Sequence, residues 1–413
     1  MAVTGAFLHL NSNKGAAFFR ESPKEVVDEV WQIIDRNYVD ATFNQVDWKS
    51  VRSEYLNRNY TNKEEAYKAV REMLKKLNDP YTRFMDPDEF RNMQIDTSGE
   101  LTGVGIQLAQ DEETKRLVVV SPIEDSPAAA AGVLAKDIIV KIDSKTTEGM
   151  GVDKAVTLIR GPVGTRVTLT ILRGGKEMVF NLQRQRIEIH PVRFSVRKDA
   201  TTGSNIGYIR LVQFSANAAG EMREAIQKLE QQKVEGYVMD LRSNPGGLLY
   251  SSIEIARMWL QEGSIVSTVN RQGVTDLERA NRKALTDKPL VILVDGGSAS
   301  ASEILSGALK DNNRATLVGT KTFGKGLVQS VRGLGDGSGV AVTIAKYLTP
   351  NGTDINKHGI KPDIVIELND AQRQTLSRDR DKIGTLDDPQ YAKALQVLNQ
   401  RIAGQRGTRA ESK

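Results

Sequence analysis

From Asn205 onward the chain switches repeatedly between two textures, and that alternation restricts the folds open to it. The runs NIGYIRL (205–211), GYVMDL (236–241), SIVSTV (264–269), LVILVD (290–295), ATLVG (315–319) and VAVTIAKYL (340–348) are short and rich in β-branched residues. They read as strands. Between them AAGEMREAIQKLEQQ (218–232), LYSSIEIARMWL (249–260) and SEILSGALKD (302–311) carry apolar residues at helical spacing. Strands that alternate with helices in this way form an α/β core.

The remainder of the 413 residues reads differently, and a chain of that length is too long for one ordinary core. From Ser22 to about Thr97 the pattern is helical. Ser22-Pro23-Lys24-Glu25 is a capping box with proline at the first helical position, and Thr61-Asn62-Lys63-Glu64 repeats the device. The turn-rich NDPYTRFMDPDEF then ends the second helix. From about Glu100 to Arg186, GVGIQLAQ, RLVVVSPI, DIIVKID, TRVTLTIL and EMVFNLQR read as strands broken by glycine turns. SPAAAAGV and GVDKAVTLIR read as a short and a longer helix. Such an island has the size of a binding module. After Asp370 the tail is polar, with one helix expected from Pro389 to about Ala403.

On the α/β part, GGSASASEIL places Ser300 at a helix start, and KTFGKGLVQ places Lys325 in a glycine-flanked turn. A serine hydroxyl is a poor nucleophile until a neighbour takes its proton, and a lysine does so only where its ammonium form is disfavoured. Phe323, Leu327 and Val328 supply apolar bulk near Lys325, and no acidic residue lies between Thr320 and Gly335. Other bases are scarce. The three histidines are His9 in the N-terminal segment, His190 before a proline, and His358 in a turn-like setting. With no cysteine, thiol catalysis, disulfides and zinc-thiolate sites are excluded together. Lysine is the best base available.

Two further pieces sharpen the pair. Gln329, four residues after Lys325, could accept a hydrogen bond from the amine and aim it without pinning its charge. MDLRSNPGGLL (239–249) joins a strand to a helix, and the N–H groups of Gly246 and Ala301 could form an oxyanion hole. Taken singly, NPGG is an ordinary turn and SASASE a run of small residues packing a helix start. Glu303 is read as a structural residue of the first helical turn.

Together, DLRSNPGG, GGSASASEIL, GTKTFGKGLVQ and YLTPNGTDINKHGIKPD resemble the carboxyl-terminal processing proteases, over about residues 22 to 368. The resemblance implies a multi-domain α/β (α+β) chain with a helical N-terminal region (22–98), an inserted PDZ domain (99–186) and a crotonase-like α/β protease core (187–370). Residues 1–21 would be a leader or the remnant of an export signal, and 371–413 a polar tail. The family's serine, lysine and glutamine map onto Ser300, Lys325 and Gln329, and its oxyanion donors onto the backbones of Gly246 and Ala301. Ser243 stands where the family commonly has asparagine. Gly103, Val104, Gly105 and Ile106 match the loop by which PDZ domains take a peptide carboxylate, a nest of N–H groups beside a strand edge. Arg160 couples the module to the site, or simply caps a helix.

The expected activity is a serine endopeptidase that cuts protein substrates near free C-termini, without metal or other cofactor. Competing readings are a catalytically silent PDZ scaffold and an acyl hydrolase of another class. The 57 basic and 52 acidic residues are well mixed, with no basic run interleaved with aromatics, so nucleic acid is not an expected partner. The helical N-terminal segment looks most like the cyanobacterial and plastid branch, which places the chain in a periplasm or thylakoid lumen.

Overall fold

The structure is a computed structural model describing residues 22–411 apart from 112, 113, 124 and 274, so the expected export-signal remnant lies outside the described residues. Three caps start the chain. The Ser22 hydroxyl accepts from the Lys24 N–H at 3.3 Å and opens α1 (Pro23–Asn37). Asp47 caps α2 (Trp48–Leu56), and Asn62 caps α3 (Lys63–Lys75). That last box sits one residue later than the Thr61 and Glu64 reading: Asn62 accepts from the Glu65 N–H, and the Glu65 carboxylate returns to the Thr61 N–H at 2.8 Å. The two registers share the same three-residue spacing, and asparagine is as good a cap as threonine. Val26, Val30, Trp31, Ile34, Ala66, Val70 and Met73 form the facing apolar stripes.

The segment after α3 is more than a helix stop. Arg83–Met85 forms strand β1, and Pro87–Ser98 forms α4. Next come β2 (Glu100–Gly103), β3 (Ile106–Gln110), β4 (Leu117–Pro122), α5 (Pro127–Ala130), β5 (Ile138–Ile142), β6 (Lys145–Thr146), α6 (Val152–Ile159), β7 (Arg166–Arg173), β8 (Lys176–Gln183) and β9 (Gln185–Glu188). The order β3-β4-β5-β7-β8, all antiparallel, encloses Val104, Leu117, Ile139, Leu169 and Ile171, while β2 pairs with β9. Residues Ile95–His190 form one compact unit, and the described residues before Ile95 and after His190 form the other.

The second unit continues with β10 (Val192–Lys198), β11 (Asn205–Leu211), α7 (Ala218–Gln231), β12 (Gly236–Asp240), α8 (Leu249–Arg257), β13 (Ser264–Asn270), β14 (Thr275–Arg279), β15 (Leu290–Val294), α9 (Ala301–Asp311), β16 (Ala315–Gly319), β17 (Leu327–Gly333), β18 (Gly339–Leu348) and β19 (Ile364–Val365). Its tail holds α10 (Asp370–Arg378) and α11 (Pro389–Glu411). The main sheet runs β10-β11-β12-β15-β16-β19 and is parallel except for β10. All residues of β12 and β15 are buried, which requires cover on both faces. Met222, Ile226, Trp259 and Leu305 supply one cover, packing with Ile209, Met239 and Ile292. Tyr391, Ala394, Leu395, Leu398 and Ile402 of α11 supply the other, against Tyr208, Val238 and Val291. Each large apolar side chain so buried contributes about 1.5–3 kcal/mol. The polar composition of the tail hides this one apolar stripe.

A second sheet joins distant parts of the same unit in the order β1-β18-β13-β14, with β17 on β18. Phe84 of β1 therefore shares a core with Val340 and Val342 of β18 and with the N-terminal helices. Among the described residues no helix is long and apolar enough to cross a membrane.

Candidate active site

Ser300 sits where β15 turns into α9, with φ 55° and ψ −113°. Positive φ is strained for a serine and persists only where the surroundings hold it. Here two turns are stitched together. Asp295 Oδ1 accepts from the N–H groups of Ser243 (2.8 Å) and Gly297 (2.9 Å). The Ser298 hydroxyl donates to the Leu241 carbonyl, and the Asn244 carbonyl accepts from the Ala299 N–H and the Ser302 hydroxyl. Ser298 and Ser302 are thus buried and committed, which leaves Ser300 as the reachable hydroxyl of the three. Ser243 has φ 57°, a region asparagine tolerates better than serine.

Gly246 lies directly against the nucleophile turn. Its φ is 100°, and a β-carbon there would stand 2.7 Å from the Ala299 carbonyl oxygen and 2.9 Å from both the Ala301 nitrogen and the Ser300 Cβ. Only glycine allows this approach. The Ala301 N–H finds no acceptor among the described residues. The Gly246 N–H does: it donates to Asn244 Oδ1 at 2.9 Å.

The base candidate is tied to the serine through Glu303. This fully buried carboxylate accepts the Ser300 N–H and the Lys325 N–H on Oε2, each at 2.9 Å. Its Oε1 accepts the Thr322 hydroxyl at 2.6 Å and the Gly324 N–H at 2.8 Å. Glu303 thus closes the capping box of α9 and also reaches the lysine turn. Its S-x-x-E spacing from Ser300 is visible in the sequence, but its reach to the lysine turn is not. Tyr347, from β18, donates its hydroxyl to the Lys325 carbonyl, and the Ser300 hydroxyl is its hydrogen-bonding neighbour. Burial, then the Glu303 charge, push that phenol far above its ordinary range.

Burial holds the Lys325 ammonium below the ordinary lysine range, and the nearby Arg83 charge adds to this. Asp79 and Glu303 pull in the other direction. The neighbourhood is tertiary: no acid is close in sequence, yet two are close in space, and Phe323 points outward with 58% exposure. Among the described residues the Lys325 amine makes no hydrogen bond or ion pair; it lies over the Tyr81 ring. Gln329 does not accept from it here. Its Nε2 donates to the Thr343 hydroxyl at 3.4 Å, at a bulge in β17.

Behind the Gly246 loop is a buried ionic cluster. Arg242 donates to Asp240 at 2.9 and 2.6 Å, to Asp388 at 3.1 and 2.7 Å, and to Gln390 at 2.9 Å. The Tyr208 hydroxyl also donates to Asp240. Burial alone would raise the Asp240 carboxyl, but the Arg242 charge and hydrogen bonds win and hold it below its usual value. The start of α11 is thereby locked to the loop that carries Gly246.

In the inserted unit, Gly103 ends β2, and Ile106 begins β3. Val104 is buried, and its carbonyl accepts the Ala128 N–H. Gly105 has φ 76°, and a β-carbon there would sit 2.2 Å from Ser126 Cβ. Arg160 is the C-cap residue of α6, its N–H donating to the Val156 carbonyl at 2.9 Å, and the Arg184 guanidinium also donates to the Ile159 and Leu158 carbonyls at 2.7 and 3.0 Å.

Comparison with known proteins gives this arrangement a class. The profile of peptidase family S41 matches residues 205–366, a PDZ-domain profile residues 118–173, and the Tricorn protease C1 domain profile residues 19–75. The molecule is a serine peptidase that carries a PDZ domain.

A carboxyl-terminal-processing protease of Synechocystis sp. is 48% identical over 367 residues, covering 88% of this chain and 86% of the relative. The chloroplastic carboxyl-terminal-processing peptidase 2 of Arabidopsis thaliana is 43% identical over 345 residues, covering 81% and 67%. The solved structure of a photosystem II D1 C-terminal processing protease superposes with a TM-score of 0.57 at 37% identity, covering 84% and 93%. This chain belongs to the carboxyl-terminal-processing proteases of peptidase family S41, as its motifs suggested, and acts on protein substrates.

Proposed function

We propose that Ser300 is the nucleophile and Lys325 the general base of this peptidase, and that residues 99–186 capture the substrate's free C-terminus. The observation that carries the reading is the single Glu303 oxygen that accepts both backbone N–H groups, of Ser300 and of Lys325. It holds the two segments of the chain beside one another at one buried atom. The amine, lowered by burial, supplies a neutral base at a smaller cost than an exposed lysine would.

Lys325 takes the hydroxyl proton as Ser300 Oγ attacks the scissile carbonyl. The Ala301 N–H, without an acceptor among the described residues, receives the developing oxyanion, and Gly246 joins it once its N–H leaves Asn244. Lysine then returns the proton to the departing amine, and the acyl-enzyme is hydrolysed by water that the same amine activates. Gln329 steadies the amine in its working position. In the inserted unit, Gly103, Val104, Gly105 and Ile106 hold the substrate carboxylate, with Arg160 transmitting its arrival. Similarity to cyanobacterial and chloroplastic processing enzymes supports an exported protein, of periplasm or thylakoid lumen, with a photosystem reaction-centre precursor as its substrate.

The test is mass spectrometry of a peptide with an apolar free C-terminus, incubated with the wild-type chain, Ser300→Ala and Lys325→Ala. Cleavage by the wild type alone is expected. Cleavage by the Ser300→Ala chain would remove Ser300 from the mechanism, and full activity of Lys325→Ala would remove the base.

A further inference from the structure

Tyr81 stands beside the catalytic candidate although it belongs to the helical N-terminal region, in the loop between α3 and β1. The Lys325 Nζ lies 5.0 Å from the centroid of its ring. An aromatic face attracts the charged ammonium and does little for the neutral amine. The loop that presents the ring is firmly held. Asp79 Oδ1 accepts the Tyr81 N–H at 2.9 Å, while Oδ2 accepts the hydroxyls of Thr82 and Thr343, both at 2.7 Å. The Thr343 N–H donates to the Thr82 hydroxyl at 3.0 Å. Thr343 of β18 is also the partner of Gln329, so one strand residue is bonded both to the loop that carries Tyr81 and to Gln329.

We propose that Tyr81 is a positioning residue for Lys325, its ring face being the resting seat of the protonated side chain, which the amine leaves to reach Ser300. The inference rests on the Ser300–Lys325 reading. The phenol moves no proton in the reaction; it acts through the lysine. Three charged groups act on that amine from the surrounding elements. Arg83 on β1 opposes the charged form, whereas Asp79 in the loop and Glu303 on α9 favour it. The Tyr347 hydroxyl on β18 is spent on the Lys325 carbonyl. The ring works on the side of Asp79 and Glu303. A leucine at position 81 keeps the apolar cover but removes the attraction, so deprotonation becomes easier and the acid limb of the rate moves down by about half a pH unit. Phenylalanine keeps the face and leaves the limb in place.

Labelling of Ser300 with a fluorophosphonate, read by intact mass across the range where lysine titrates, tests this without a peptide substrate. The chains are wild type, Tyr81→Leu, Tyr81→Phe, Tyr81→Trp and Lys325→Ala. The expected result is a downward shift for leucine, none for phenylalanine, an upward shift for tryptophan, and a slow, pH-independent reaction for Lys325→Ala. A Lys325→Ala chain that keeps the wild-type profile overturns the serine–lysine reading and the seat with it. If Lys325 is required but the leucine limb coincides with wild type, the seat alone fails. A phenylalanine shift as large as the leucine one also overturns it, since the hydroxyl would then be responsible. Should the leucine chain not fold, the tryptophan chain decides, and an unmoved limb there refutes the assignment.

Discussion

Replacing Glu303 with glutamine keeps the side-chain shape and removes the charge, and the consequence can be worked bond by bond. Each carboxylate oxygen accepts two donors, the N–H groups of Ser300 and Lys325 on one, the Thr322 hydroxyl and Gly324 N–H on the other. A glutamine amide must turn its NH2 toward one of these pairs. The milder choice faces Thr322, whose hydroxyl can turn and accept, although it already accepts the Ile360 N–H at 2.7 Å. The Gly324 N–H is then orphaned at a cost of about 1–3 kcal/mol, and the remaining bonds lose their charge assistance at roughly 1 kcal/mol each. A total of about 3–5 kcal/mol corresponds to a melting temperature lower by roughly 6–15 °C. Catalysis suffers separately, because the serine and lysine backbones lose their shared anchor and a misplacement near 1 Å costs about 10²-fold in kcat. Steady-state kinetics on a peptide substrate and a thermal melt measure both. A Glu303→Gln chain that melts lower but turns over within threefold of wild type would refute the positioning role while leaving the structural one, and an unchanged melt would refute the bond count itself.

Three further outcomes are expected. The fraction of neutral Lys325 grows as pH rises, so kcat/KM climbs with pH on the acid side and levels off below the usual lysine value near ~10.4; a pH profile shows it, and Lys325→Arg, which cannot deprotonate, should show no such rise. Gly246→Ala places a β-carbon against Ala299, Ser300 and Ala301 and should cut kcat by about 10²–10³-fold, the loss of an oxyanion donor, in the same assay. Asp388→Ala leaves the buried Arg242 with one carboxylate and should destabilise the unit by about 3–5 kcal/mol in a denaturant titration, an effect absent from Asp387→Ala on the exposed neighbour.

How much of this the sequence disclosed depends on whether the signal was local. The parallel strands and their helices announce themselves, because β-branched runs and helical spacing are properties of neighbouring residues. Ser300 and Gly246 were legible for the same reason: each sits in a short motif whose backbone demands small residues. The environment of Lys325 was not. Its flanking residues suggested apolar cover from Phe323, whereas its aromatic neighbour Tyr81 and its acidic neighbours Asp79 and Glu303 come from other elements. Nothing near Asp388 in sequence hints at its pairing with Arg242, 146 residues away. β1 was hidden because three residues are too few to show a period, and its strand character exists only through pairing with β18.

That pairing has a consequence for how the molecule comes into being. Thr82 and its partner Thr343 are 261 residues apart. At about 5–20 residues per second, synthesis separates their emergence by on the order of tens of seconds. The part of the unit made earliest is therefore sealed among the latest, and a nascent chain holding Ser300 and Lys325 but not yet the full β18 cannot dock Tyr81's loop. The surroundings of Lys325 are complete only once the last-made strand of that sheet has emerged.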